Sequence, residues 1–119
     1  MESKIQRDII KFLESQGAYV VKVILSNKNG TADLLCSVNG FFVAFEIKDK
    51  NLKADPLQIF KLSNVIESKG FGFVVDNLED VKKIYSQISQ YQAPQIDGLS
   101  MNVLHLKEIH RQAKQIVGF

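Results

Sequence analysis

The sequence predicts an α/β fold, with a mixed sheet flanked by helices. Two observations predict it. Long amphipathic segments with apolar residues at helical spacing alternate with shorter apolar runs that are bounded by turn residues. Their order along the chain is helix, three strands, helix, strand and a helical C-terminal part. Three consecutive strands favour a meander, and the second helix then crosses over to the fourth strand.

Length and composition favour a single domain that spans residues 1–119. The chain is 45% hydrophobic and 24% charged, which allows a buried core and argues against disorder. A net charge of +2 permits nucleic-acid binding without requiring it. The lone Cys36 excludes an internal disulfide, and the sequence has no Cys/His cluster typical of zinc. No signal peptide or membrane-spanning run is evident, so we expect a cytoplasmic protein with no membrane partner.

Helix boundaries follow from capping residues. The first helix is predicted over residues 3–16, with Ser3 as its N-cap and Gly17 after its end. Asp55 and Pro56 predict the start of the second helix, which stops at Gly70. The apolar stripe of the second helix is predicted to comprise Ile59, Leu62, Val65 and Ile66. The remaining elements are a strand over 18–25, a strand over 72–76 and a third helix over 78–91.

A β-hairpin lies between the first two helices. The apolar runs 34–38 and 41–47 flank Asn39-Gly40, the dipeptide that favours a two-residue type I′ turn. With those two residues at the turn, Val38 pairs with Phe41. The same register then places Asp33 opposite Glu46.

This register predicts a polar cluster on one face of the hairpin. Two carboxylates directly across an antiparallel pair repel each other, and a divalent cation between them reverses that effect. Lys48 lies two residues after Glu46 and therefore projects from the same face. On this basis, removing either carboxylate should leave the metal-free protein no less stable. The competing interpretation is an ordinary solvated polar face, since Glu-x-Lys is common in strands.

The motifs Gly30-Thr31-Ala32-Asp33-Leu34-Leu35 and Phe45-Glu46-Ile47-Lys48 resemble those of the PD-(D/E)XK nuclease superfamily. The sequence most resembles the small stand-alone VRR-NUC branch, known largely from phages and bacteria. In second place it resembles the archaeal-type Holliday junction resolvases. The resemblance covers residues 2–76 and implies a restriction-endonuclease-like αβββαβ core, with a helical extension over 77–119. The superfamily often has Pro where this sequence has Ala32.

The resemblance implies a metal-dependent DNA endonuclease that hydrolyses phosphodiester bonds with Mg²⁺ or Mn²⁺. Its implied catalytic residues are Asp33, Glu46, Lys48 and Gln58. Its implied metal ligands are Asp33, Glu46, the backbone carbonyl of Ile47, and Glu2. Lys50 and Lys53, in the charged loop after the hairpin, are candidate phosphate contacts, although a solvated loop is an equal alternative.

Several alternatives remain open from the sequence alone. The same fold can bind nucleic acid without cutting it, or can serve as an interaction module whose carboxylates pair with lysines. An active enzyme can act on Holliday junctions and other branched DNA, or on flaps and ends. Residues 99–119 are rich in apolar side chains, which favours a homodimer or a segment that completes the monomer core.

Overall fold

The computed structural model describes residues 3–49, 53–91, 111, 112 and 115. The elements of the first two ranges are α1 (Lys4–Ser15), β1 (Tyr19–Lys22), β2 (Leu34–Val38), β3 (Phe41–Ile47), α2 (Pro56–Glu67), β4 (Phe71–Val75) and α3 (Leu78–Ile88). Their order is the predicted one. No helix in the described ranges is long and apolar enough to cross a membrane.

The four strands form one mixed sheet, in the order β1-β2-β3-β4. The first three strands are antiparallel neighbours, and β4 is parallel to β3. A parallel neighbour requires a crossover connection, and α2 provides it. The predicted meander and crossover are therefore confirmed. β1 is shorter than predicted, because its pairing with β2 ends at Lys22↔Leu34 and a loop follows in which Ile24 and Leu25 are exposed.

The Asn-Gly turn fixes the register of the hairpin, as predicted. Asn39 and Gly40 both have positive φ, of 50° and 85°. A type I′ turn requires this at both central positions, where glycine is unstrained and Asn is tolerated. β2 and β3 pair from Val38↔Phe41 to Leu34↔Phe45. This register decides which side chains of the two strands share a face.

One face of the sheet packs on α1 and α3 and forms the main hydrophobic core. Ile9 and Leu13 of α1 and Val81 of α3 are fully buried. They belong to one cluster with the sheet residues Leu34, Cys36, Val38, Val43, Phe45 and Val75. The helix capping supports this arrangement: Ser3 accepts the Gln6 N–H, as predicted for an N-cap.

α2 lies on the opposite face, over β3 and β4, and its contact with the sheet is narrow. Leu62 is buried there against Ala32 and Ala44. Ile59 and Ile66, which belong to the predicted apolar stripe, are 55% and 54% exposed. Periodicity predicts an apolar face of a helix, but it does not predict how much of that face the sheet covers.

Gly30 allows the loop before β2 to lie against α2. Its φ is +80°, and a Cβ atom there would lie 2.7 Å from Cγ of Leu57 and 3.2 Å from Cγ of Lys61. Gly17 has a similar φ of +91°, but a Cβ atom there would have no atom within 4 Å. The two glycines therefore share a backbone constraint and differ in packing.

We expect Gly30→Ala to lower the free energy of unfolding by more than Gly17→Ala does. Both substitutions force an L residue to positive φ, at about 1–2 kcal/mol. Only the first adds a steric clash with α2, which costs about a further 1–3 kcal/mol. Urea unfolding of both variants measures the difference. Equal losses would show that the loop does not depend on its close approach to α2.

Candidate active site

Asp33 and Glu46 lie at the end of the hairpin that is distant from the turn. Continuing the β2–β3 register by one residue beyond Leu34↔Phe45 places them opposite each other. The Asp33 side chain also supports the backbone, because its Oδ2 accepts the Ile47 N–H at 2.8 Å. Its position is therefore fixed by a hydrogen bond to the end of β3.

Glu46 is the one buried charged residue of the described part of the chain. It is only 1% exposed. One carboxylate oxygen, Oε2, accepts a hydrogen bond from Nε2 of Gln58 at 2.8 Å. The other oxygen, Oε1, is buried and has no hydrogen-bond partner among the described residues. Such an unsatisfied buried acceptor is costly and calls for a functional explanation.

Gln58 connects the start of α2 to Glu46. Its Oε1 accepts the Asp55 N–H at 3.0 Å, and the Asp55 side chain accepts the Gln58 N–H at 2.9 Å. This reciprocal pair is a capping box, with Pro56 in the first turn. Because the amide oxygen caps the helix, the amide nitrogen is directed at Glu46. One side chain thus positions both the helix start and the buried carboxylate.

Lys48 follows β3 and lies beside the same carboxylate. Its Nζ is 3.9 Å from Oε2 of Glu46, and its side chain is 23% exposed. The Lys48 N–H donates to the carbonyl of Val75 at 2.9 Å, which extends the β3–β4 pairing past Ile47. The ammonium group is therefore held at the border between the buried carboxylate and solvent.

The electrostatics of the site disfavour an ionised Glu46. Burial, which is the largest cause, and the neighbouring carboxylates of Asp33 and Asp55 together raise the pKa of Glu46 from 4.5 to about 7, while Lys48 opposes the shift. Burial also raises the pKa of the Cys36 thiol to about 12, on the other face of the sheet, so this thiol is not a nucleophile at neutral pH.

The side chains present fit a hard divalent cation. Mg²⁺ and Mn²⁺ take oxygen ligands, and Glu46 offers a buried oxygen, which no described residue contacts by a hydrogen bond, next to a second carboxylate. The described ranges contain no group of three or more His, Cys, Asp or Glu side chains able to hold a metal. Among the described residues a cation here would have two carboxylates, with backbone carbonyl and water oxygens as further ligands.

The structure brings four of the predicted site residues together: Asp33, Glu46, Lys48 and Gln58. Lys53 is exposed in the loop before α2. Glu2, Lys50 and most of 99–119 lie outside the described residues. Sequence reasoning treated Asp55 only as a helix cap and missed its effect on the Glu46 pKa. The pairing of an N-cap Asp with Gln three residues later was the available signal.

Comparison with solved structures finds a "VRR_NUC domain" with a TM-score of 0.63 and 28% sequence identity. The match covers 76% of this chain and 96% of that one. This chain has the fold of a VRR_NUC domain. No protein-family model matches the sequence, and no curated protein matches it. The VRR_NUC resemblance that the two motifs carry is therefore confirmed at the level of the fold.

The buried carboxylate predicts a pH-dependent stability of the metal-free VRR_NUC fold. Because the pKa of Glu46 is raised on folding, the folded state binds its proton more tightly than the unfolded chain. The free energy of unfolding should fall as pH rises from about 4.5 to about 7, and Glu46→Gln should remove this component. Urea unfolding in EDTA across this range measures it. An unchanged pH profile in Glu46→Gln would contradict the assignment.

The contact between Asp33 and the backbone corrects the expectation that removing this carboxylate costs no stability. Asp33→Asn removes the charge and keeps an oxygen for the Ile47 N–H, whereas Asp33→Ala leaves that donor without its partner. We expect Asp33→Ala to be less stable than Asp33→Asn by about 1 kcal/mol or more in EDTA. Equal unfolding free energies of the two variants would show that the contact contributes nothing.

Proposed function

We propose that this protein is a metal-dependent DNA endonuclease of the PD-(D/E)XK superfamily, from its stand-alone VRR-NUC branch. The observation that carries the proposal is the buried Glu46 carboxylate, which has one oxygen without a partner in the described part of the chain and lies beside Asp33 and Lys48. A solvated polar face would not bury this group. The VRR_NUC structural neighbour supports the nuclease assignment by its name.

The proposed cofactor is Mg²⁺, for which Mn²⁺ would substitute. Asp33 and Glu46 would hold it, together with the backbone carbonyl of Ile47 and Glu2. When bound, the cation supplies a more acidic water and neutralises charge on the phosphate. The carbonyl of Ile47 belongs to the residue whose N–H fixes Asp33, so the backbone there would orient two of the proposed ligands.

Lys48 and Gln58 have different roles in the proposed reaction. The Lys48 ammonium lies at the solvent side of Glu46, where it would stabilise negative charge that develops on the phosphate. Gln58 acts on the carboxylate, because its Nε2 donates to Oε2 and leaves Oε1 as the oxygen available to a cation. Gln58 is therefore a positioning residue.

The proposed substrate is branched DNA such as a Holliday junction, cut by a homodimer. Recognition would depend on DNA shape and phosphate contacts, with Lys50 and Lys53 as candidate contacts. Two symmetric cuts need two sites related by a two-fold axis. Four apolar side chains of α2 support a second copy, because each is more than 40% exposed: Leu57, Ile59, Phe60 and Ile66.

A cleavage panel tests the function. The wild type is incubated with Mg²⁺, Mn²⁺ or EDTA and with single-stranded, duplex, flap and four-way junction DNA. We expect strand cleavage only with metal, fastest on the junction, and none in Glu46→Gln. Equal rates on flaps or ends would replace the junction assignment with a flap- or end-processing nuclease. Binding without cleavage under every condition would favour the inactive nucleic-acid-binding module.

Lys48 and Lys53 should separate catalysis from binding. We expect Lys48→Ala to lower kcat by about 100-fold or more with little change in DNA affinity. The reason is that Lys48 lies beside the Glu46 carboxylate, where the cleaved phosphate would bind in the proposed reaction. Lys53→Ala, at an exposed loop position, should weaken binding and reduce the salt slope by about one. Single-turnover kinetics and anisotropy titrations measure both. Normal cleavage by saturated Lys48→Ala would reduce Lys48 to a phosphate contact.

The homodimer is tested by sedimentation at micromolar concentration, with and without junction DNA. We expect a dimer in the wild type and a monomer in Phe60→Glu, because a charge on the exposed face of α2 opposes apolar association. Lys83→Glu, at an exposed position of α3, is the control and should remain dimeric. A wild type that stays monomeric with junction DNA would contradict the paired-cut proposal.

A further inference from the structure

A pocket lies between α2 and the sheet, next to the candidate active site. Its volume is about 240 Å³, which is large enough for one heterocyclic ring system and too small for a duplex. Its floor is apolar because every side chain there is an alanine or a larger aliphatic residue. The floor consists of Ala32, Leu35, Ala44, Leu62 and Val65. We call it the seam pocket.

The rim of the seam pocket is polar and positively charged. It consists of Lys28, Thr31, Lys61, Asn64 and Ser68. Neither Lys28 nor Lys61 forms an ion pair with a carboxylate among the described residues, although Lys61 lies 5.9 Å from the ring centre of Phe60. An apolar floor below two cations and an amide matches the chemistry of a nucleotide, which combines a planar base with an anionic phosphate.

The strands and α2 place this pocket beside the two carboxylates. Ala32 immediately precedes Asp33, and Ala44 lies two residues before Glu46 on the same face of β3. Two residues of a strand span about 6.6 Å, and DNA advances about 3.4 Å per nucleotide along its axis. Ala44 in the pocket lining is therefore about 6.6 Å from Glu46 along β3, which is on the order of one or two nucleotides.

We propose that the seam pocket binds one unpaired nucleotide of the DNA near the cleaved bond. Its base would lie on the apolar floor within reach of the Asn64 amide, and its phosphate would lie against Lys28 and Lys61. This inference rests on the proposed nuclease function and deepens it. Such a pocket would favour branched or gapped DNA over intact duplex, because an unpaired base enters it without the free-energy cost of unpairing a duplex.

The lining also sets the expected specificity. None of the described residues that line the pocket is aromatic, so a base there gains apolar contact with them without stacking. The Asn64 amide offers both a donor and an acceptor, which suits more than one base. The pocket would therefore distinguish the presence of a base from its absence, with weak preference among the four bases.

An abasic scan tests the proposal. Junction and gapped DNAs, each with one abasic nucleotide at a successive position around the cut, are titrated in EDTA by fluorescence anisotropy. The proteins are the wild type and Asn64→Trp, which fills the mouth of the pocket from an exposed helix position. Glu67→Trp is the matched control, because Glu67 is exposed on the same helix and does not line the pocket.

For the wild type we expect one position where removing the base weakens binding about five-fold or more. Asn64→Trp should bind intact DNA more weakly, and the same abasic nucleotide should then have no further effect. Glu67→Trp should keep the wild-type pattern. Lys61→Ala provides a second variant without added bulk, and should weaken binding and reduce the salt slope by about one. Urea unfolding shows that each variant folds.

Two results would overturn the inference. A scan that is flat in the wild type would show that no single base is held. Effects of Asn64→Trp and of base removal that combine independently would show that the base is held elsewhere. If the wild type still cuts DNA with Mg²⁺ or Mn²⁺ in either case, the nuclease function stands and only the pocket assignment falls. If the wild type neither binds nor cuts any DNA, both the proposed nuclease function and the pocket assignment are wrong.

Discussion

The burial of the Glu46 carboxylate is the constraint on which the rest of the site depends. A carboxylate that is removed from water must be neutralised, hydrogen-bonded or bound to a cation. Among the described residues only one of its oxygens has a hydrogen-bond donor, Gln58, and burial together with the nearby charge of Asp33 raises the pKa of Glu46 to about 7. A sheet built for stability alone would have an apolar side chain here, as its neighbours Ala44 and Phe45 are.

The surrounding fold holds this unfavourable arrangement in place by local interactions. The Asn39-Gly40 turn sets the register that brings Asp33 opposite Glu46. The Ile47 N–H holds the Asp33 carboxylate, and the capping box of α2 directs Gln58. These contacts involve backbone groups that the fold must satisfy in any case. The charged groups of the site are therefore positioned by the same hydrogen bonds that terminate a strand and begin a helix.

The position of α2 explains both surfaces that the proposals use, which are the seam pocket and the exposed apolar side of this helix. This helix covers β3 and β4 and leaves the β1 side of the same face uncovered by the described residues, where Tyr19 and Val21 are exposed. Its inner side meets the sheet at small residues and leaves the seam pocket. Its outer side presents apolar residues such as Phe60 to solvent. A helix with apolar residues on both sides is typical of an element that packs between two partners.

The sequence alone determined the features that depend on local rules. Turn chemistry gave the hairpin register, capping residues gave the starts of α1 and α2, and period-2 alternation placed Lys48 with Glu46 on one face. Tertiary structure decided the features that depend on which surfaces meet. It buried Glu46, left its Oε1 without a partner among the described residues, exposed Ile59 and Ile66, and formed the seam pocket between elements distant in sequence. The reason is physical: hydrogen bonds of turns and caps join residues within a few positions, whereas burial depends on the packing of distant elements.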